Sequence, residues 1–424
     1  MNIFLKKVCI ADSSSPYHLS QKDIFINDGI IQQIGDRLNE NVNHDELQII
    51  NGENLAVSPG WVDIFSHFAD PGFEHRETLE SGANAAASGG YTHIFTVPNT
   101  QPVIQNKAQV EYIVRKSQQL PVNVSPLGAI TQNTEGTNLA EMYDMYRSGA
   151  VAFSDGINPV QSPGLLLKAL QYVKAFNGVV VQLPLDTSIG AHGLINEGII
   201  STQLGLPGIP SLAEELMVQR DIELLRYTNS RLHITGISTA KSVELIKQAK
   251  KEGLQLTCSV TPYHLYFTDE DLQGYDTNLK VNPPLRTLAD RDALRKAVTE
   301  GDIDMIAAHH LPQHWDNKSC EFEYAKNGMI NLQTAFSVTL SALPSLTEAQ
   351  VAALFSENAR KQFSIPFASI KEGERADMTL FNLAGKTNFT KSNNKSKSSN
   401  SPFFDKALNG SVIGIINKGN IILN

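Results

Sequence analysis

The chain has 424 residues, of which 41% are hydrophobic and 19% charged, and this composition is typical of a globular protein. Its formal net charge of −9, with lysines and arginines scattered along the chain, argues against nucleic acid or an anionic membrane as a partner. No segment approaches the roughly 20 apolar residues that a membrane span needs. Cys9, Cys258 and Cys320 form no CxxC pair. We therefore expect a cytoplasmic protein with reduced thiols.

The first 55 residues carry short strand signals at Ile3–Ile10, Asp23–Asn27 and Ile30–Ile34. The turn residues Asn27-Asp28-Gly29 separate the last two of these and predict a tight hairpin. This part of the chain is therefore expected to be β-rich and distinct from the central part.

From residue 56 to residue 365, apolar or β-branched runs alternate with segments of helical period. Ala240–Gly253 is an example of the helical segments, with its apolar side chains on one face and Gly253 as a C-terminal cap. Eight such alternations predict an α/β fold, a (β/α)8 TIM barrel whose strands are buried on both faces. The predicted barrel strands are Val62–Phe68, Thr92–Val97, Val122–Ala129, Ala150–Phe153, Val179–Leu183, Arg231–Ile237, Leu254–Val260 and Ile303–Ala307.

The C-terminal part returns to strand signals, at Asp377–Phe381 and Val412–Asn417. Chain ends often lie close together, so residues 1–55 plus 366–424 are predicted to build one small composite β-sandwich domain beside the 56–365 barrel. The tract Lys391–Ser401 has almost no apolar residue and predicts a mobile, solvated loop.

Four segments of the barrel region resemble the dihydroorotases, specifically the type found with aspartate transcarbamoylase. They are Asp63–Glu77 (DIFSHFADPGFEHRE), Pro98–Thr100 (PNT), Leu204–Pro210 (LGLPGIP) and Val281–Arg286 (VNPPLR). The resemblance runs over nearly the whole chain and implies an amidohydrolase-type barrel of pyrimidine biosynthesis. It also implies a zinc site that activates water to attack the ring amide of dihydroorotate.

Most positions that this resemblance assigns to metal binding hold other residues in the chain. The family's H-x-H reads Phe65-Ser66-His67, so one imidazole is lost. Gln182 and Gly236 stand where the strand-five and strand-six histidines are expected. Asp155 is the one carboxylate left at strand four. We therefore expect no metal and no cofactor, with His67 and Asp155 as vestiges of the site.

The positions for proton transfer and substrate binding also depart from the family's pattern. His309 replaces the strand-eight aspartate, the family's general base, and Ala69 replaces the arginine that binds the substrate carboxylate. The flexible-loop A-P-H reads Leu311-Pro312-Gln313. Asn99 and Asn282 are the positions similar to the family's substrate contacts that remain. We expect no catalytic residue here.

These losses favour a pseudoenzyme, a non-catalytic structural partner of aspartate transcarbamoylase. The expected partners are aspartate transcarbamoylase, a second copy of the chain in a homo-oligomer such as a dimer, or both. One alternative is an active cyclic amidohydrolase, either with a metal ion held by His67, Asp155 and His309 or with an unfamiliar mechanism. Another is a module that binds a small molecule through Asn99 and Asn282. Three further histidines, namely His233, His264 and His310, are interpreted as packing residues.

Overall fold

The structure is a computed structural model that describes residues 2–38, 47–367 and 369–424. Residues 1, 39–46 and 368 belong to the predicted sandwich ranges and lie outside the described residues. The first part of the chain forms β1 (Asn2–Ile10), β2 (Gln21–Asn27), β3 (Ile30–Gly35), β4 (Leu47–Asn51) and β5 (Ala56–Pro59). At the β2–β3 turn, Asp28 and Gly29 have φ of 47° and 75°. Two left-handed residues are what a tight hairpin of this kind requires.

The central part of the chain contains the barrel strands. They run β6 (Trp61–Ser66), β7 (Tyr91–Thr96), β8 (Asn123–Gly128), β9 (Ala152–Phe153), β10 (Val180–Gln182), then β13 (Leu232–Ile234), β14 (Leu256–Val260) and β15 (Met305–Ile306), with the small pair β11 (Ile195–Asn196) and β12 (Gly208–Ile209) in between. The eight barrel strands pair in parallel in chain order. A parallel bridge between Ser66 and His310 joins the two edges.

Helices follow the barrel strands and cover the outer face of the sheet. They are α1 (Leu79–Ser88), α2 (Lys107–Lys116), α3 (Met142–Arg147), α4 (Pro163–Lys174), α5 (Ile199–Leu204), α6 (Leu212–Thr228), α7 (Ala240–Lys251), α8 (Pro262–Tyr266), α9 (Leu288–Glu300), α10 (Ala335–Ala342), α11 (Glu348–Ala352) and α12 (Asn358–Phe363), with a π-helical turn at Ala353–Glu357. Their starts follow local chemistry, as at α7, where the Thr239 side chain accepts a hydrogen bond from the Ser242 amide. Among the described residues, no helix has the length and apolarity to cross a lipid bilayer.

The C-terminal strands complete a second sheet together with the N-terminal ones. They are β16 (Met378–Asn388), β17 (Ala407–Asn417) and β18 (Asn420–Leu423), and the sheet order is β18-β17-β16-β5-β1-β2-β3, with β4 beside β1. The prediction that both ends of the chain build one strand-rich domain is confirmed. Strand β5 lies just after the predicted boundary at residue 56 and still pairs with the terminal sheet.

An aromatic cluster fastens the terminal sheet to the base of the barrel. Trp61, fully buried at the start of β6, has its ring centroid 5.0 Å from Phe336, 4.9 Å from Phe355 and 5.5 Å from Phe381. Large aromatic side chains bury much apolar area, so this cluster is a major source of packing free energy between the two parts. The barrel mouth at the other end is thereby left free for the site.

The tract Lys391–Ser401 is not the solvated loop that its composition predicts. Ser396, Ser398 and Asn400 are buried, and Phe403 beyond the tract is fully buried. The Asn400 side chain donates to the carbonyl of Leu311 at 3.0 Å, so the tract packs against a loop beside the barrel mouth. The tract is held in place mainly by hydrogen bonds and not by apolar contacts. Composition alone does not show which groups form those hydrogen bonds.

Candidate active site

A cavity of about 360 Å³ opens at the carboxyl ends of the barrel strands. This is the end of a barrel at which ligands and reactive groups gather. Its lining mixes apolar side chains with a few polar ones. The lining residues are Phe65, His67, Arg76, Val97, Ile157, Leu183, Tyr263, Val281, Asn282, His309, His310, Leu311, Gln313, Asn317, Lys326, Asn327 and Gly328.

Phe65 and His309 fill the centre of the barrel mouth as a stacked pair. Their ring centroids are 4.4 Å apart with an interplanar angle of 29°. Nε2 of His309 lies 2.7 Å from the hydroxyl of Thr235, which holds the ring in place. Burial, and then the charge of His264, lower the pKa of His309 to about 3, so the imidazole is neutral near pH 7.

His67 uses both ring nitrogens inside the protein. Its Nε2 lies 2.8 Å from the carbonyl of Asn99, and its Nδ1 accepts a hydrogen bond from the Ala69 amide at 3.0 Å. Nε2 therefore carries the hydrogen and donates it, because a carbonyl can only accept. Burial, followed by the charge of Arg76, lowers the pKa of His67 to about 3. No lone pair of this imidazole remains for a metal ion.

Asp155 and Asn99 brace loops and do not line the cavity. The Asp155 carboxylate accepts from the Thr131 amide at 2.9 Å and from the Thr131 hydroxyl. Burial raises the pKa of Asp155 to about 6 despite these bonds. The Asn99 side chain donates to the carbonyl of Asp155 at 2.9 Å and accepts from the Ile157 amide at 3.0 Å. The set His67, Asp155 and His309 is therefore not brought together as ligands.

Gln182 and Gly236 stand at the ends of β10 and β13. The Gln182 side chain donates to the carbonyl of Val160 at 3.2 Å. Gly236 has a φ of 69°, and a Cβ placed there would lie 2.6 Å from Cε1 of His309. The ring of His309 thus occupies the space into which a side chain at position 236 would extend.

Two polar groups in the cavity have unsatisfied buried atoms. Nε of Arg76 and Oδ1 of Asn282 are both buried without a hydrogen-bond partner in the described part of the chain. Asn282 is one of the predicted substrate-contacting residues, whereas Arg76 was not singled out from the sequence. The signal for Arg76 was available: it is a cation in the segment Asp63–Glu77, seven residues after the lost arginine position at Ala69.

His233, His264 and His310 are satisfied framework residues in this structure. His233 contacts the hydroxyls of Thr257 and Ser259 at 2.8 and 3.0 Å, and His264 contacts Thr261 at 2.8 Å. His310 lies 3.3 Å from the buried carboxylate of Glu77. Because these rings have protein partners, they are not available as additional ligands.

The residues present do not fit the zinc site that the resemblance implies. Within residues 2–38, 47–367 and 369–424, no group of three or more His, Cys, Asp or Glu side chains is arranged to hold a metal ion. A zinc site needs at least three nitrogen, oxygen or sulfur ligands from the protein. The cation Arg76 in the same cavity further disfavours a divalent metal.

The eight-stranded parallel barrel, the terminal strand-rich domain and the cavity at the strand ends together define the amidohydrolase class of proteins. A family profile described as Dihydro-orotase-like matches residues 55–242. A protein of Acetivibrio thermocellus named dihydroorotase is 42% identical over 95% of this chain and 94% of its own length. One of Syntrophus aciditrophicus with the same name is 37% identical over 100% and 99%. The chain belongs to the dihydroorotase family.

Solved structures show the same fold at lower sequence identity. An L-hydantoinase (dihydropyrimidinase) from Arthrobacter aurescens aligns with a TM-score of 0.84 and 22% identity, over 100% of this chain and 96% of its own. A D-hydantoinase aligns with a TM-score of 0.83 and 19% identity, over 100% and 95%. The predicted fold class, an amidohydrolase-type barrel with an added domain from the termini, is confirmed.

The prediction of a non-catalytic pseudoenzyme acting as a structural partner is wrong. Relatives that match along essentially the whole chain, at 35% to 42% identity, are named dihydroorotase, and they favour the alternative of an active cyclic amidohydrolase. The loss of activity was predicted because Phe65, Gln182 and Gly236 stand at positions where metal-binding histidines are expected. The residues at these three positions remove one way of polarising water, namely a bound metal ion. The cavity and the neutral imidazole of His309 are still present.

Proposed function

We propose that this chain is an active cyclic amidohydrolase of the dihydroorotase type, which opens or closes the ring amide of dihydroorotate at the barrel mouth. The observation that carries the proposal is the full-length relation to proteins named dihydroorotase. The cavity at the carboxyl ends of the strands supports it, because its volume of about 360 Å³ suits a single small ring.

In the hydrolytic direction, the oxygen of water bonds to the ring carbonyl carbon and the ring carbon–nitrogen bond breaks. One proton leaves the water and one reaches the departing nitrogen, so the product is N-carbamoyl-aspartate. The chain must therefore supply a proton acceptor beside the bound ring. Because the described residues contain no group of three or more side chains arranged to hold a metal ion, this acceptor must be one of the chain's own side chains.

His309 is the candidate proton acceptor, and a buried row of hydroxyls orients it. The Thr235 hydroxyl contacts Nε2 of His309 at 2.7 Å and the Ser259 hydroxyl at 2.9 Å, and Ser259 contacts Nε2 of His233 at 3.0 Å. One donor order satisfies the whole row: His309 donates to Thr235, Thr235 to Ser259, and Ser259 to His233. Nδ1 of His309 then carries the lone pair that can accept a proton.

A neutral imidazole with a pKa of about 3 is a weak base. General base catalysis typically contributes roughly 10²- to 10⁴-fold, and it is most effective when the pKa lies near the working pH. We therefore expect turnover below the usual enzyme median of roughly 10 s⁻¹. Because His309 stays neutral above its low pKa, its base form is fully present from pH 5 to 8.

The test is a direct assay of the purified chain with dihydroorotate and, in the reverse direction, with N-carbamoyl-aspartate, both followed by mass spectrometry. Metal content is measured on the same sample, before and after EDTA. We expect turnover that EDTA does not abolish, and a loss of roughly 10²-fold or more in His309→Ala. His18→Ala, which removes an exposed imidazole in the terminal domain, is the control and should retain full activity.

Three results would count against the proposal. Wild-type protein that shows no turnover in either direction would refute the activity itself. Turnover that is unchanged in His309→Ala would leave the activity standing and remove His309 from the reaction. Stoichiometric zinc together with EDTA-sensitive turnover would refute a site without metal.

Association with aspartate transcarbamoylase, or with a second copy of the chain, stays a prediction from the resemblance. An active chain is as compatible with such an assembly as an inactive one. Size-exclusion chromatography with light scattering, run on the chain alone and mixed with the transcarbamoylase, measures both. A monomer that never shifts in the mixture would rule out both associations.

A further inference from the structure

The charge balance of the barrel-mouth cavity favours an anion. Arg76 and Lys326 line it, and no aspartate or glutamate does so in the part of the chain that the structure describes. The two histidines at its centre, His67 and His309, are neutral. The wall therefore carries positive charge that a small anionic ligand would balance.

Arg76 has no carboxylate partner among the described residues. Its guanidinium lies 4.5 Å over the ring of Phe73, and its buried Nε has no acceptor among the described residues. The neighbouring carboxylate of Glu77 is already engaged by the Ser396 hydroxyl and by the Lys397 amide at 3.0 Å. Burial lowers the pKa of Arg76, which shows that its charge is partly desolvated. A ligand carboxylate would compensate this cost.

Asn282 supplies a complementary acceptor in the same cavity. Its Oδ1 is buried without a donor among the described residues, and an unsatisfied buried carbonyl of this kind is costly. Only a group that bears an N–H or O–H can satisfy it. A ligand with both a carboxylate and a ring N–H meets the needs of Arg76 and Asn282 together.

We propose that Arg76 and Asn282 form a ligand subsite in which Arg76 binds the carboxylate, and Asn282 accepts from the ring N–H, of a small cyclic amide. This inference rests on the proposed function and deepens it, because Arg76 takes over from a different loop position the role that Ala69 cannot perform. The tract at the barrel mouth positions Arg76. The Ser398 hydroxyl donates to the Arg76 carbonyl at 2.7 Å, and Lys397 Nζ donates to the Glu74 carbonyl at 2.7 Å.

The test is calorimetric binding to the full chain of dihydroorotate, N-carbamoyl-aspartate and 5,6-dihydrouracil, the last of which has the ring but no carboxylate. Arg76→Gln removes the charge, and Arg76→Lys retains it. Arg115→Gln is the matched control, because Arg115 is a mostly exposed cation on α2 outside the cavity lining. Thermal melting without ligand checks that each variant is folded.

We expect Arg76→Gln to weaken binding of the two carboxylates roughly 10- to 100-fold, the loss typical of a charge-assisted hydrogen bond. Its affinity for dihydrouracil should change less than about twofold, and Arg76→Lys should recover part of the loss. Arg115→Gln should bind like the wild type. Asn282→Leu should weaken binding of both ring compounds to a similar extent.

Failure of this inference and failure of the proposed function give different results. Turnover and binding that do not depend on Arg76 would overturn the subsite and leave the activity intact. Carboxylate binding that depends on Arg76 without turnover would support the subsite and refute the activity. If neither carboxylate binds the wild type at millimolar concentration, the subsite is overturned.

Discussion

Replacing Gly236 by alanine tests whether His309 really fills the centre of the barrel mouth. The added Cβ would lie 2.6 Å from Cε1 of His309, closer than carbon atoms can approach without movement. His309 cannot yield easily, because it is stacked on Phe65 at 4.4 Å and held by Thr235 at 2.7 Å. Gly236→Ala should therefore destabilise the protein through both the backbone and this contact.

The expected loss of stability in Gly236→Ala has two parts. A non-glycine residue at the φ of 69° found at Gly236 costs roughly 1–2 kcal/mol, since the left-handed region places Cβ against the following carbonyl. Overpacking against a fixed ring adds roughly 1–3 kcal/mol. Gly253 is a matched control, because its φ is 82° and nothing lies within 4 Å of an added Cβ. Gly253→Ala should thus show the backbone cost alone, of roughly 1–2 kcal/mol.

The assay is urea unfolding of the two alanine variants, alone and combined with His309→Ala, with the free energy of unfolding extrapolated to zero urea. Removing the imidazole should relieve the contact at Gly236, so the double variant Gly236→Ala/His309→Ala should lose less stability than the sum of the single variants. We expect a coupling energy of roughly 1–3 kcal/mol. Gly253→Ala should show no coupling with His309→Ala.

Two results would contradict this prediction: an equal loss of stability in Gly236→Ala and Gly253→Ala, or a loss from Gly236→Ala that is unchanged in the His309→Ala background. Either result would mean that the ring does not occupy the space above Gly236. A side chain at position 236 would then have room to extend into the cavity. The absence of a metal site among the described residues would follow only from the missing histidine at position 236, and not from the space that His309 takes up.

Glu77→Gln should destabilise the protein by roughly 1–3 kcal/mol, because the buried carboxylate accepts hydrogen bonds from the tract Lys391–Ser401, including one from the Ser396 hydroxyl. Hydrogen exchange should show faster opening of that tract, whereas exposed Glu80→Gln should stay within roughly 0.5 kcal/mol of the wild type. A second prediction concerns the ion pair of Asp377 and Arg360 at the barrel base, in which Oδ2 of Asp377 lies 2.8 Å from Nη2 of Arg360. Burial raises the pKa of Asp377, but the charges of Arg360 and of a nearby histidine outweigh it, so the pKa lies below its usual value. Its stabilising contribution is therefore fully present above the unfolded-state pKa of roughly 4 and is lost as the pH falls through the lower folded-state pKa. Asp377→Asn should remove this acid-side loss from the unfolding free energy measured between pH 2 and 5, and an unchanged pH profile would contradict the assignment.

The barrel strands and helices could be predicted because the sequence pattern of each lies within a few adjacent residues. A strand buried on both faces reads as a short apolar run, as at β14, and an amphipathic helix such as α7 carries its period and caps in adjacent residues. All eight predicted barrel strands overlap the observed ones. The strands β4, β5, β11, β12 and β18 have no predicted counterpart. β4 and β5 pair with the distant β1, β11 and β12 have two residues each, and β18 is a four-residue strand that pairs with β17.

Which residues meet in the cavity depended on the tertiary structure. The sequence alone shows that Phe65 and Gly236 cannot bind a metal ion, because neither side chain has a donor atom. Only packing shows that His309 occupies the space above Gly236, that Asp155 faces Thr131, and that Ser396 bonds to Glu77 beside the barrel mouth. Side-chain partners many residues apart leave no periodic trace in a single sequence. Only the structure shows that Glu77 accepts from the Lys397 amide and that Arg76 has no carboxylate partner among the described residues.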